Sequence, residues 1–203
     1  MYKIGITGLI GSGKTTVCKI FETLGVPVFY ADDEAKNLMQ TNHDLKYSLL
    51  NILGPQTYQT DGKLNRKYIA LKIFEDPNLL SQINALVHPV VLDKLSEWFK
   101  DQSGEAYALY ESALITQKHK TFLDFVILVN APQHLRLSRV MQRQNETKED
   151  ILKRMAAQPK EKSLKDLADF IIRNNGQPLI PQVLAIHRKI VTIHNASQKN
   201  DQE

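Results

Sequence analysis

The sequence predicts an α/β protein in which a parallel sheet of about five short strands is covered by helices on both faces. Three observations predict it. Short apolar runs recur along the chain, segments with apolar residues at helical spacing separate them, and a glycine-rich loop joins the first run to the first helix.

Residues 3–7 (KIGIT) form the first apolar run and lead directly into glycines; residues 15–24 then carry apolar side chains at helical spacing. After a turn at Gly25, residues 27–30 (PVFY) read as a second strand, followed by a polar helix over about 32–40. From 43 to about 101 the pattern is helical, punctuated by Gly54-Pro55, a turn at Asp61-Gly62, Pro77 and Pro89. Strands return at 106–110 (AYALY) and 125–129 (FVILV), with a short one at 170–172. The stretch 133–166 is helical and rich in Arg, Lys and Gln, with few large apolar residues, so it reads as a mobile surface lid rather than core. Residues 181–194 make the last helix and 196–203 a polar, frayed end.

The 203 residues, 42% hydrophobic and 24% charged, suit one compact unit with inserted subdomains. A single cysteine, Cys18, excludes a disulfide framework and points to the cytoplasm. No apolar run reaches the roughly 20 residues of a membrane span, and Met1 leads into a strand rather than a cleavable signal. The net charge of +4 and pI near 9.0 fit a phosphorylated ligand as well as a nucleic acid. The basic residues are dispersed and no aromatic-interleaved basic stripe is present, so nucleic acid is not expected as a partner.

Gly8 to Thr15 (GLIGSGKT) fits G-x-x-x-x-G-K-[ST] completely and lies between a strand and a helix. Glycines let successive N–H groups turn inward on phosphates, and the helix N-terminus adds its positive end. Gly11, Ser12, Gly13, Lys14, Thr15 and Thr16 are therefore the candidate nucleotide contacts, with Lys14 reaching the outer phosphates and Thr15 offering its hydroxyl to Mg²⁺. The loop itself does not say where the phosphate goes. No N-K-x-D segment or D-x-x-G switch follows it, which disfavours a signalling GTPase.

A kinase acting on a small acceptor needs a base, an acceptor pocket and cations that close on the transferring group. Asp32 and Asp33 lie just past the second strand, at the edge where parallel sheets bind ligands; Asp32 reads either as the base or as the cap of the next helix. Arg136, Arg139 and Arg143, spaced i, i+3 and i+7, share one helix face, either aimed at phosphates or simply solvated.

Taken together, these residues resemble the dephospho-CoA kinase family over about 3–176. The likeness rests on the opening ITGLIGSGKTT, on Ala31-Asp32 as the end of a D-A-D element, and on Leu64-Asn65-Arg66-Lys67 with Phe74, Asp76-Pro77 and Asn84-Ala85. Val87-His88-Pro89, the stretch 137–143 with Arg154 and Gln158, and the Asn174-Asn175-Gly176 turn complete it. The resemblance implies a P-loop kinase fold with a core over about 1–32, 104–132 and 167–195, a helical substrate-binding insertion over 33–103 and a lid over 133–166. It implies transfer of the ATP γ-phosphoryl group, with Mg²⁺, to the ribose 3′-hydroxyl of dephospho-CoA, with no obligatory protein partner. Asp32 would be the base; Lys14 and Arg139 would act on the phosphates, and Asn175 would contact the nucleotide. Arg66 and His88 would lie near the acceptor, His88 reading equally well as a hydrogen-bonded structural histidine.

Three positions depart from the family pattern: Tyr30 replaces the first Asp of D-A-D, Leu9 a usual Gly, and Glu111-Ser112-Ala113 with Gln117 the P-L-L-x-E segment. Glu111 reads as a strand-end charge or as an outer partner of Mg²⁺. Two other functions use the same loop: phosphorylation of a nucleoside or nucleoside monophosphate, and ATP binding without turnover in a regulatory or RNA-associated protein.

Overall fold

The computed structural model describes residues 1–143 and 147–200, apart from the side chains of Phe74, Pro77, Arg143 and Asn200. The apolar runs form β1 (Tyr2–Thr7), β2 (Val28–Tyr30), β3 (Tyr107–Glu111), β4 (Phe125–Asn130) and β5 (Phe170–Arg173). Between them lie α1 (Lys14–Thr23), α2 (Ala31–Thr41), α3 (His43–Leu53), α4 (Arg66–Glu75), α5 (Pro77–Asp101), α6 (Gln133–Arg143), α7 (Lys148–Ala156), α8 (Glu161–Leu167) and α9 (Leu179–Asn200). Contacts divide the chain into two compact units, Met1–Tyr30 with Phe99–Glu203, and Ala31–Trp98.

The first unit holds the sheet. All strand pairs are parallel, in the order β2-β3-β1-β4-β5. Strands covered on both faces need apolar side chains on both, hence runs rather than alternation. All of β3, the last four residues of β1 and the middle four of β4 are buried. Ile6 of β1 stands opposite Glu111 on one side and Ile127 on the other. The chain leaves β1 toward β2 and β3, then crosses back to β4 on its other flank. The carboxyl end of β1 is therefore the point where strand order reverses, and open α/β sheets bind ligands there.

Val17, Cys18 and Phe21 of α1 and Val183, Ile186 and Ile190 of α9 close over Ile4, Ile6, Leu109 and Ile127 to make the main core. The helix α9 runs further than its apolar spacing predicts. Its polar end does not fray within the described residues, because Ser197 is hydrogen-bonded to Tyr2 at 2.8 Å. The stretch 133–166, expected to lie outside the core, buries Arg136, Val140, Ile151 and Leu164, and Leu164 packs on Leu128 and Leu9. Few apolar residues suffice when short helices bury each of them, as α8 does by laying Leu164 against the sheet.

The second unit is helical. Leu45, Leu49 and Leu53 are buried at four-residue steps on α3, whose first turn is capped by the Asn42 side chain accepting from Leu45 N–H. Asn65 caps α4 in the same way through Tyr68 N–H. The turn expected at Asp61-Gly62 forms, with Gly62 at φ 80° between the bridged Tyr58 and Leu64. Pro89 does not break the chain as its sequence position predicts; it lies inside the 25-residue α5. A proline there costs about 3 kcal/mol in an isolated helix. The stripe Ile83, Val87, Val91, Leu95 and Phe99, buried on both sides of it, offsets that cost.

On the sheet, the Tyr107 hydroxyl lies 2.7 Å from His187 Nδ1. Burial, followed by the nearby Arg188 charge, pulls the imidazole below its ordinary 6.5. The unfolded chain thus takes up this proton first as pH falls, so the contribution of His187 to stability is full above about pH 6.5 and is lost below it. The melting temperature of His187→Gln should lie below that of the parent at about pH 7.5, with the gap shrinking toward about pH 5.5. A gap that widens in acid would show that the protonated form is favoured by the fold.

Candidate active site

The loop between β1 and α1 is best described by where its peptide groups point. Gly11 (φ 76°) and Gly13 (φ 94°) occupy the left-handed region, which glycine enters without penalty. Every carbonyl from Gly8 to Gly13 is engaged. Gly8 O accepts from Lys14 Nζ (2.9 Å), Leu9 O from Ser12 N–H (3.0 Å), and Gly13 O from Val17 N–H (3.1 Å). Ile10 O accepts from Arg136 Nη1 (3.5 Å), Gly11 O from Arg139 Nη1 (3.3 Å), and Ser12 O from Asn174 Nδ2 (2.8 Å). The N–H groups of Gly11, Gly13, Lys14, Thr15 and Thr16, by contrast, meet no acceptor among the described residues. With no capping side chain and no acidic residue in the first turn of α1, these donors and the positive end of the helix form an anion-binding surface.

Charge around the loop is arranged in layers. Lys14 Nζ stands 3.9 Å from Glu111 at the carboxyl end of β3, both side chains being largely buried. Thr15 and Thr16 are exposed, and the Thr15 hydroxyl has no partner among the described residues. Behind the loop, burial first and then the carboxylates of Glu111 and Glu22 push the Cys18 thiol well above its usual range, so it is a neutral core group. Tyr30 is likewise held neutral, by burial and then by Cys18, Glu22 and Glu111.

Arg136, Arg139 and Arg143, expected on one helix face that is either aimed at phosphates or solvated, are not equivalent: Arg136 and Arg139 have different partners. Arg136 is buried and spends its guanidinium on Ala131 O (3.1 Å) and Ile10 O. Arg139 Nη2 donates to the Asn174 carbonyl (3.1 Å) and to Asn174 Oδ1 (3.0 Å). The Arg143 side chain lies outside the described residues, as does that of Phe74. Gln158, known so far only as part of a resemblance, accepts Ile10 N–H at 2.9 Å. Of the two adjacent asparagines it is Asn174 that touches the loop, whereas Asn175 is exposed in the turn before Gly176. No signal in a single sequence separates the two; the choice follows from β5 ending in register with β4, where Asn174 N–H meets Asn130 O at 2.7 Å.

In the helical unit, α2 starts at Ala31 directly after β2, so Asp32 lies inside the first turn and is not its cap. Asp32 is exposed and has no hydrogen-bond partner among the described residues, while Asp33 is paired with Lys36 at 2.6 Å. Arg66 heads α4 and His88 lies on α5; both are exposed, and neither side chain is hydrogen-bonded to a described residue.

A model of the dephospho-CoA kinase family matches residues 2–179. Among the relatives, a dephospho-CoA kinase of Bacteroides fragilis is 34% identical over 186 residues, covering 91% of this chain and 90% of its own. A dephospho-CoA kinase of Porphyromonas gingivalis is 35% identical over 194 residues, with 95% and 96% covered. A crystal structure of the Thermus thermophilus protein TT1252 superposes with a TM-score of 0.79 at 29% identity, covering 93% of this chain and 96% of that one.

Loop packing leaves no room at Gly11, where an added Cβ would sit 2.5 Å from the Arg136 carbonyl oxygen and 2.9 Å from its Cα. Gly11→Ala should melt lower, a left-handed alanine alone costing about 1–2 kcal/mol, and should bind ATP at least about tenfold more weakly. Thermal melting and calorimetric titration measure the two. Parental affinity in the variant would mean that nucleotide does not use this loop conformation.

Proposed function

This chain belongs to the dephospho-CoA kinase family, and from that premise we propose that it transfers the γ-phosphoryl group of ATP to the ribose 3′-hydroxyl of dephospho-CoA, releasing coenzyme A and ADP. The observation that carries this reading is the loop after β1, with its carbonyls engaged and five N–H groups left for an anion. We further read it as a cytoplasmic enzyme without nucleic-acid or obligatory protein partners, since donor and acceptor are both small molecules. No described helix is long and apolar enough to cross a membrane.

Gly11, Ser12, Gly13, Lys14, Thr15 and Thr16 hold the phosphates through backbone N–H groups, and Asn175 contacts the nucleotide beyond them. Lys14 balances phosphate charge, and Arg139 does so as the reacting complex closes. The exposed, unpartnered Thr15 hydroxyl and the nearby Glu111 carboxylate suit Mg²⁺, a cation held by few protein ligands together with phosphates and water. When bound, it neutralises charge on the transferring group. Arg66 and His88 bind the acceptor. Asp32 accepts the proton of the ribose hydroxyl as its oxygen bonds to the γ-phosphorus and the bond to the β–γ bridging oxygen breaks. The support for Asp32 is that it follows β2 without a loop and has no other partner, whereas Asp33 is engaged by Lys36.

Turnover should require dephospho-CoA, with AMP and adenosine as poor competitors in a coupled ADP assay; preference for either would replace the acceptor. Lys14→Ala should stay folded but melt lower, having lost its pairing with the buried Glu111, and lose at least about 10²-fold in kcat, whereas near-parental turnover would sink the kinase reading. Asp32→Asn should lower kcat by about 10²–10⁴-fold at unchanged melting temperature. Asp33→Asn should stay within about threefold, because an exposed ion pair contributes little. Equal losses at the two positions would remove Asp32 as the base.

A further inference from the structure

Three consecutive loop carbonyls are held by three side chains from elsewhere in the fold, and one of these, Asn174, also holds another. Its Nδ2 donates to Ser12 O at 2.8 Å, while its Oδ1 and its backbone carbonyl both accept from Arg139 Nη2, at 3.0 and 3.1 Å. Both ends of the amide are therefore used, and in opposite senses. No hydroxyl or carboxylate of similar size supplies one donor and one acceptor in this geometry. Asn174 is itself held by its N–H on Asn130 O, the last rung between β5 and β4, so it borrows the rigidity of the sheet. It also packs against Gly13, where any Cβ would collide with its Nδ2.

We propose that Asn174 is a positioning residue for phosphoryl transfer: it sets the Arg139 guanidinium and the Ser12 peptide relative to each other. The inference rests on the ATP-dependent transfer proposed above. A cation on a long side chain loses rotamer freedom when it must meet a developing charge, and a fixed acceptor on the sheet removes that cost beforehand. Turning Ser12 O toward Asn174 also keeps that carbonyl away from the anion, and the following N–H, that of Gly13, has no acceptor among the described residues. Asn174 touches neither phosphate nor acceptor in this scheme and acts only through its two partners.

The test is a double-mutant cycle of Asn174→Ala and Arg139→Ala, read in kcat, in KM for ATP and in ATP affinity by calorimetry, with melting temperature as the fold control. Asn174→Ala is expected to lower kcat about tenfold or more and ATP affinity by less than about fivefold. The double variant should be slower than Arg139→Ala alone by clearly less than the full Asn174→Ala loss, because the part that runs through Arg139 is already gone and only the part through Ser12 remains. Asn174→Asp, which keeps the acceptor for Arg139, should retain more activity than the alanine variant. Losses that multiply, an Asn174→Ala kcat within about twofold of the parent, or equal losses in the Asp and Ala variants would each overturn the proposal. If the parent does not turn over dephospho-CoA, the acceptor reading fails separately. The cycle is then read in ATP affinity, where strictly multiplicative losses would still overturn the role of Asn174.

Discussion

The molecule depends on the orientation of six peptide groups. A phosphate chain brings several negative charges to one point, and a protein backbone offers as many carbonyl oxygens as N–H groups. Presenting only the N–H groups requires somewhere for every carbonyl to go. Here each one from Gly8 to Gly13 has a donor: two from the backbone, one from Lys14, and three from Arg136, Arg139 and Asn174. Hydrogen bonds to charged donors contribute about 1.5–3 kcal/mol each, which offsets part of the cost of burying the Arg136 guanidinium. Burial lowers the pKa of that arginine, and Glu161 partly offsets the shift.

The sheet supplies the other half of the constraint. Reversal of strand order at β1 puts the loop at the edge where open sheets bind ligands, beside Val129 of β4 and Asn174, the residue after β5. Glu161, held below the usual carboxylate range chiefly by Lys165 and then by Asn130 and Arg136, links α8 to the same corner. The stretch between β4 and β5 therefore has two duties. It supplies donors for the loop, and it buries Val140, Ile151 and Leu164. Leu9 joins Leu164 and Leu128, so the residue that departs from the family's glycine is anchored in an apolar contact.

In the proposed reaction Arg139 is one cation that serves both a resting and a reacting state. In the structure it is spent on Gly11 O and Asn174; in the proposed reaction it meets charge that exists only during transfer. The exchange is favourable only if the new partner is more negative than the old, which is the condition for stabilising a transition state rather than a ground state.

Much of this was legible in the residues. The run KIGIT followed by GLIGSGKT specifies a strand, a loop and a helix because glycine, lysine and threonine at fixed spacing do local work that no distant contact can replace. The five strands, and the bounds of α1 and α2 to within a residue, follow equally from local apolar spacing, whereas 43–101 and 133–166 are legible only as helical stretches. Distant contacts decided the rest. Pro89 stays helical because apolar partners lie on both sides of it, α9 holds its polar end through Tyr2, and Arg136 is buried although it is a charged residue in a stretch rich in Arg, Lys and Gln. The selection of Asn174 over Asn175 depends on which residue β5 leaves facing the loop, and the split between Arg136 and Arg139 on how α6 packs against it. Strand register is set by pairing across the sheet, between residues far apart in the chain, so the sequence by itself determined the phosphate loop and the tertiary structure decided what holds it.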